Sequence, residues 1–201
     1  MSQRIFSGAI ALAMLLSIGS ISPAPSAADE APKSAAASAN VDYLPKVQLV
    51  DQFGKPFTLS SVKGKPALVG FIHTSCQGAC ELMTAKMKTV AQDLDPNFAS
   101  KVTMVSMTTD PSEDGPKQLA KYAKDQGTVG NGWVFLTGKP AEMKRALNLY
   151  GVAVSESEDE MTHVFELRLI GSDGHELHRY EGTDVKAAAI AGDIKSALTH
   201  N

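Results

Sequence analysis

Short continuous apolar runs alternate with stretches of helical spacing along most of the 201-residue chain, beginning near Val41. Val47-Gln48-Leu49-Val50 and Phe57-Thr58-Leu59 flank the turn sequence Asp51-Gln52-Phe53-Gly54-Lys55, which predicts an opening hairpin. Ala67 to Ile72 is apolar throughout, the pattern of a strand buried on both faces. Glu81 to Leu94 carries Leu82, Ala85, Val90 and Leu94 at near-helical spacing and stops before Pro96. Val102 to Met107 predicts a second buried strand, Pro116 to Gln126 a helix with proline near its first turn, and Trp133 to Leu136 a third strand. Ala141 to Tyr150 predicts a helix ended by Gly151. Val164 to Ile170 and Glu176 to Tyr180, joined through Gly171-Ser172-Asp173-Gly174, predict a hairpin, and Val185 to Leu198 a closing helix.

Strands alternating with helices, then a terminal hairpin and helix, define an α/β fold: a central mixed sheet flanked by helices, with an N-terminal β-hairpin extension. This is the thioredoxin-like arrangement. The first 40 residues depart from the pattern. Arg4 precedes an apolar stretch from Ile5 to Ile21, broken by Gly8, Ser17 and Gly19, and Ser26-Ala27-Ala28 offers a small-residue cleavage site. Residues 1–28 therefore read as a signal peptide, or, left uncleaved, as an anchor in the inner membrane, and the expected location is the periplasm. Residues 29–40, rich in alanine, serine and proline, read as a disordered linker to a single domain over 41–201. Roughly 170 residues after the leader suffice for one real core and are too few for two comfortable ones. Loss of Arg4 takes the net charge from -3 to about -4, too acidic and dispersed for a nucleic-acid surface.

Cys76 and Cys80 are the only cysteines, and they fall where the apolar run 67–72 breaks into a helical stretch. Two thiols alone in an exported chain point to a redox or metal site rather than a disulfide scaffold, and an oxidising compartment allows a Cys76–Cys80 disulfide to persist until a thiol reductant opens it. Cys80 is expected in a first helical turn, where unpaired backbone N–H groups and the helix dipole favour thiolate. Dithiol oxidoreductases of this fold carry Cys-x-x-Cys, whereas three residues intervene here, a spacing that lets the sulfurs spread around an ion without forbidding a disulfide. Such reductases also place a cis-proline at the start of a late strand, but this chain has no proline after Pro140. Its late strand opens Met161-Thr162-His163-Val164-Phe165, so His163 could face the cysteines there, the plainer reading of it being a strand-edge histidine hydrogen-bonded to backbone. Two thiolates and an imidazole suit Cu(I), can hold Cu(II) with an added ligand, and could take zinc.

The order and spacing of Cys76-x-x-x-Cys80, Asp110-Pro111-x-x-Asp114-x-Pro116, Leu136-Thr137-Gly138, and His163 ahead of Leu169-Ile170-Gly171-Ser172-Asp173-Gly174 resemble the Sco/SenC family of copper-binding, thioredoxin-like proteins. That family is associated with assembly of the CuA site of cytochrome c oxidase. The resemblance implies that Cys76, Cys80 and His163 are copper ligands. The chain departs from the family at Gln77 and Gly78, where proline and an acidic residue are usual, at Glu81, where proline is usual, and at Thr162, where aspartate usually precedes the histidine. The ligands remain while the groups that orient and tune them have changed.

Other residues have plainer readings. His73 is three residues before Cys76, close enough to substitute as a ligand, but is expected to end the buried strand on the far side of the turn. Met83, Met87, Met104 and Met107 read as packing, and Met161 as packing that could also face the site. Asp110 and Asp114 lie between a strand and a helix, where carboxylates cap helix N-termini. Glu156 to Glu160 reads as a solvated acidic loop, and His175, His178 and His200 as surface residues.

The function expected is an exported copper chaperone that binds one ion through Cys76, Cys80 and His163 and delivers it to a CuA-bearing oxidase subunit or another copper-accepting protein. The alternative is a thiol-disulfide reductase that uses Cys76 and Cys80 as its redox pair on partner cysteines. A peroxidase would need threonine where His73 stands.

Overall fold

The computed structural model describes residues 41–76, 78–94, 101–130, 132–153 and 165–199. Its centre is a seven-stranded mixed sheet. In chain order the strands are β1 (Gln48–Asp51), β2 (Pro56–Thr58), β3 (Ala67–Ile72), β4 (Thr103–Thr108), β5 (Trp133–Thr137), β6 (Glu166–Ile170) and β7 (Glu176–Glu181). Across the sheet they run β2-β1-β5-β4-β3-β6-β7. β3, β4 and β5 are parallel, with Ala67 opposite Thr103 and Met104 opposite Trp133. The β1–β2 and β6–β7 hairpins add antiparallel edges. The four α-helices described are α1 (Ala79–Asp93), α2 (Pro116–Asp125), α3 (Pro140–Leu149) and α4 (Ala187–Thr199); a 3-10 turn spans Leu59–Val62. The thioredoxin-like sheet and the N-terminal hairpin extension are thus as the sequence pattern led us to expect.

The apolar run of β3 is explained by its place. It lies between β4 and β6 with helices over both faces, so every one of its residues is buried. Leu68 and Ile72 enter a core built with Met83, Met87 and Val90 of α1, Leu119 and Tyr122 of α2, and Ile190 and Ile194 of α4. Ala67, Val69 and Phe71 point the other way, into a core with Tyr43, Leu44, Leu59 and Met143, Ala146 and Leu147 of α3. The two-residue period of the strand divides its side chains between these layers. At Gly70 the absent side chain lets α1 and β6 approach closely. A Cβ there would sit 2.9 Å from Leu167 Cδ2 and 3.0 Å from Met87 Sδ.

A charged cluster is buried behind β6. Arg168, 2% exposed, bonds to Glu166, to Glu176 of β7 and, at 2.7 Å, to the Tyr150 carbonyl. Pairing to two carboxylates keeps this guanidinium charged despite its burial. The Tyr150 hydroxyl donates to the Tyr43 carbonyl at 2.7 Å, and complete burial raises its pKa above the usual phenol range. The segment ahead of β1 is thereby tied to α3 and the sheet.

Candidate metal centre

β3 and β4 end side by side, and the chain leaving β3 forms the site. Thr109 N–H donates to the Ile72 carbonyl at 2.8 Å, sealing the strand end, and Cys76 N–H donates to the His73 carbonyl at 3.2 Å, curling the next residues into a turn. α1 starts at Ala79, so Cys80 lies in its first turn as expected. Gly78 immediately before it has φ +102° and ψ -86°, a conformation that a Cβ would strain. Proximity to the C-terminal ends of parallel strands is where α/β sheets commonly place ligand sites.

The turn brings three donors together. The sulfurs of Cys76 and Cys80 and a ring nitrogen of His73 all lie within 4.8 Å of one another. His73 therefore does not point to the far side of the turn: β3 stops at Ile72, and the curl after it swings the imidazole toward the sulfurs. Ser75 Oγ lies 3.1 Å from His73 Nδ1. Cys76 and Cys80 are thiols, not joined in a disulfide. His163 and Met161, and the acidic run 156–160, lie outside the described residues.

The thiols are more protected than a strand-to-helix turn suggested. Cys76 is 5% and Cys80 7% exposed, packed with Phe165 and Leu167 in the core beneath α1. Burial pushes the Cys80 thiol up to about 12, its hydrogen bond with Cys76 adds to this, and the negative charge of Asp114 adds further; only a hydrogen bond from the His73 backbone favours the thiolate. Desolvation thus outweighs the one backbone hydrogen bond that favours the thiolate. Tyr122 braces the first turn from α2. Its hydroxyl donates to the Cys80 carbonyl at 3.2 Å and lies 2.9 Å from Thr84 Oγ1. Desolvation raises the Tyr122 phenol to about 12 as well.

Asp114 has a different task from the helix cap expected of it. α2 is preceded by Gly115 with no side-chain cap. Asp114, 1% exposed, instead accepts from Thr74 N–H at 3.0 and 3.2 Å, from Thr74 Oγ1 at 2.5 Å and from Thr108 Oγ1 at 2.6 Å. It fastens the cysteine-bearing turn to the end of β4. Asp110 stays local, accepting from Ser112 Oγ at 2.6 Å and Glu113 N–H at 3.2 Å. Met83, Met87, Met104 and Met107 are core residues, as read from the sequence. His175 is exposed and His178 half-buried; His200 lies outside the described residues.

A thioredoxin-like sheet with two thiols and an imidazole gathered at a strand-to-helix turn defines a class of proteins that use a dithiol for metal binding or redox exchange. The SCO1/SenC family model matches residues 35–199. The chain belongs to the SCO1/SenC family. It is 36% identical over 154 residues to the SCO1 protein homolog of Bacillus subtilis, an alignment covering 74% of this chain and 79% of that one. Among solved structures it is similar to BsSco, a member of the Sco family of cytochrome c oxidase assembly proteins in which a disulfide switch was identified. The TM-score is 0.68 at 32% identity, over 81% of this chain and 96% of that one. It is also similar to Bradyrhizobium japonicum ScoI with copper bound, with a TM-score of 0.63 at 26% identity, over 75% of this chain and 96% of that one. Among the described residues no helix is long and apolar enough to cross a membrane.

Proposed function

We propose that the protein is an exported copper carrier of the periplasm, which takes up one copper ion through Cys76, Cys80 and His163 and delivers it to a CuA-bearing oxidase subunit. The observation that carries this reading is the meeting of the Cys76 and Cys80 sulfurs, with the His73 imidazole beside them, at one buried turn in a SCO1/SenC chain, and His163 joins them as the ligand that the family resemblance implies. Thiolate and imidazole are soft to borderline donors, so the set fits Cu(I) well. The copper-bound ScoI relative supports copper as the cargo.

The protein's own groups supply retention and release. Burial of the thiols limits contact with water, so an ion held between them exchanges slowly with solvent. Transfer requires the sulfurs to be reduced. A partner disulfide can accept the two electrons: Cys76 and Cys80 form an S–S bond, the partner S–S bond breaks, and its sulfurs take up the protons released. A thiol reductant then restores the Cys76–Cys80 pair by the reverse exchange. The disulfide switch of BsSco supports this coupling.

The test is transfer. The reduced, copper-loaded protein is mixed anaerobically with a copper-free CuA domain, the two are separated, and copper is measured in each. Movement to the CuA domain faster than copper supplied from a chelator of matched affinity is expected. Transfer no faster than from that chelator would overturn the delivery role.

A further inference from the structure

Resting on the copper reading above, we infer that His73 is a further ligand of the cargo ion beside Cys76, Cys80 and His163, so that the turn from His73 to Cys80 supplies three of its donors. Donors about 2.0–2.3 Å from a common ion sit roughly 3.5–4 Å apart around it. The His73 nitrogen and the two sulfurs already lie within 4.8 Å of one another, so closure on an ion needs a shift of about 1 Å. Rotamer adjustments of three side chains supply that much without moving β3 or α1.

The local bonding suits a ligand. A metal-bound histidine usually gives its other ring N–H to an acceptor, which fixes the tautomer and the ring plane. Here Ser75 Oγ, 3.1 Å away, can accept from Nδ1–H, which places the lone pair on Nε2. The backbone on either side of the imidazole is held to the same two cysteines. The His73 carbonyl accepts from Cys76 N–H, and the His73 backbone bonds to the Cys80 sulfur. Asp114 grips the next residue, Thr74, through both its N–H and its hydroxyl. The imidazole is 5% exposed. Ligand and dithiol are thus carried on one braced loop.

Two consequences distinguish this assignment from a site completed by His163 alone. Cu(I) should remain bound, though less tightly, when His163 is lost. Together, His73 and His163 would bring the set to two sulfurs and two imidazoles, which provides the added ligand that Cu(II) requires.

The experiment uses the reduced full-length protein and His73→Gln, His163→Ala and the double variant, with Cu(I) titrated anaerobically against a chromophoric chelator. X-ray absorption at the copper edge counts sulfur and nitrogen ligands. The unaltered protein is expected to show two sulfurs and two nitrogens, and His163→Ala to bind one equivalent more weakly through two sulfurs and the one remaining nitrogen. Adding His73→Gln should lower affinity by at least about tenfold and remove that nitrogen. Retained circular dichroism and cooperative melting of His73→Gln separate ligand loss from misfolding. If His163→Ala already reduces the site to two sulfurs, or the double variant binds no more weakly than His163→Ala, the assignment of His73 is overturned while the copper reading stands. If the unaltered protein takes up no Cu(I), both fail.

Discussion

Replacing Asp114 by alanine is the sharpest test of how the site is held in place. The side chain is 1% exposed and accepts three donors: Thr74 N–H, Thr74 Oγ1 and Thr108 Oγ1. Thr108 Oγ1 in turn accepts from Asp110 N–H at 2.9 Å, so the loss propagates into the loop ahead of α2. Hydrogen bonds to a charged acceptor are worth about 1.5–3 kcal/mol each, but removing a buried carboxylate also relieves its desolvation, and the threonine hydroxyls can turn to other acceptors. The backbone N–H of Thr74 cannot turn. A net loss of about 3 kcal/mol is expected, which lowers Tm by about 6–12 °C for a domain of this size. Asp114→Asn keeps one acceptor oxygen and should lose roughly half as much. Urea unfolding of the reduced, metal-free protein measures the loss. The rate of alkylation of Cys76 and Cys80 reports whether the turn has loosened, and should rise in Asp114→Ala. A loss below about 1 kcal/mol, with thiols as protected as before, would refute the clamp.

Other perturbations follow from the same geometry. Gly70→Ala forces a Cβ to within 2.9 Å of Leu167 Cδ2 and 3.0 Å of Met87 Sδ, and overpacking of this kind should destabilise by about 1–3 kcal/mol in urea unfolding. Arg168→Met leaves the buried Glu166 and Glu176 with Arg179, 3.7 and 3.5 Å away, as their remaining cation and should cost about 3 kcal/mol, with part of the loss recovered when both glutamates become glutamine. The Cys80 thiol, raised from 9.0 to about 12, binds its proton more tightly in the folded chain than in the unfolded one. Its contribution to stability is therefore complete below about pH 9 and fades as pH rises toward about 12, which pH-dependent unfolding of the reduced protein measures. Copper affinity should change in the opposite sense. Thiolate binding displaces the Cys80 proton, so the apparent Cu(I) affinity should rise by about tenfold per pH unit from this group alone.

The elements of the domain were legible because burial writes itself into local patterns. The unbroken apolar run Ala67–Ile72 matches β3, and the spacing from Glu81 located α1 to within two residues of its start at Ala79. The cysteine pair at their junction was equally visible. What spacing could not convey was how the chain curls after Ile72. Strand alternation carried past the end of β3 aims His73 away, whereas the turn closed by Cys76 N–H and the His73 carbonyl brings it to the sulfurs. Asp114 was misread for a related reason. A carboxylate beside a helix start suggests a cap, and its real partners, Thr74 and Thr108, are set by the pairing of β3 with β4. The thiols share their buried core with Phe165 and Leu167, and it is the pairing of β6 with β3, not any local pattern, that brings this part of the chain to the same core. The single informative cue was His73 itself, three residues before Cys76 on the only segment that holds both cysteines.

Copper binding by the dithiol underlies uptake, retention and delivery alike, and one titration tests it. Reduced protein and Cys76→Ser are titrated with Cu(I) under anaerobic conditions in the presence of a competing chelator whose colour reports free ion. One equivalent bound tightly by the unaltered protein, and lost or greatly weakened in Cys76→Ser, is the expected result. Failure of the unaltered protein to compete, or equal binding by Cys76→Ser, would contradict a copper carrier and leave disulfide exchange as the function of the pair.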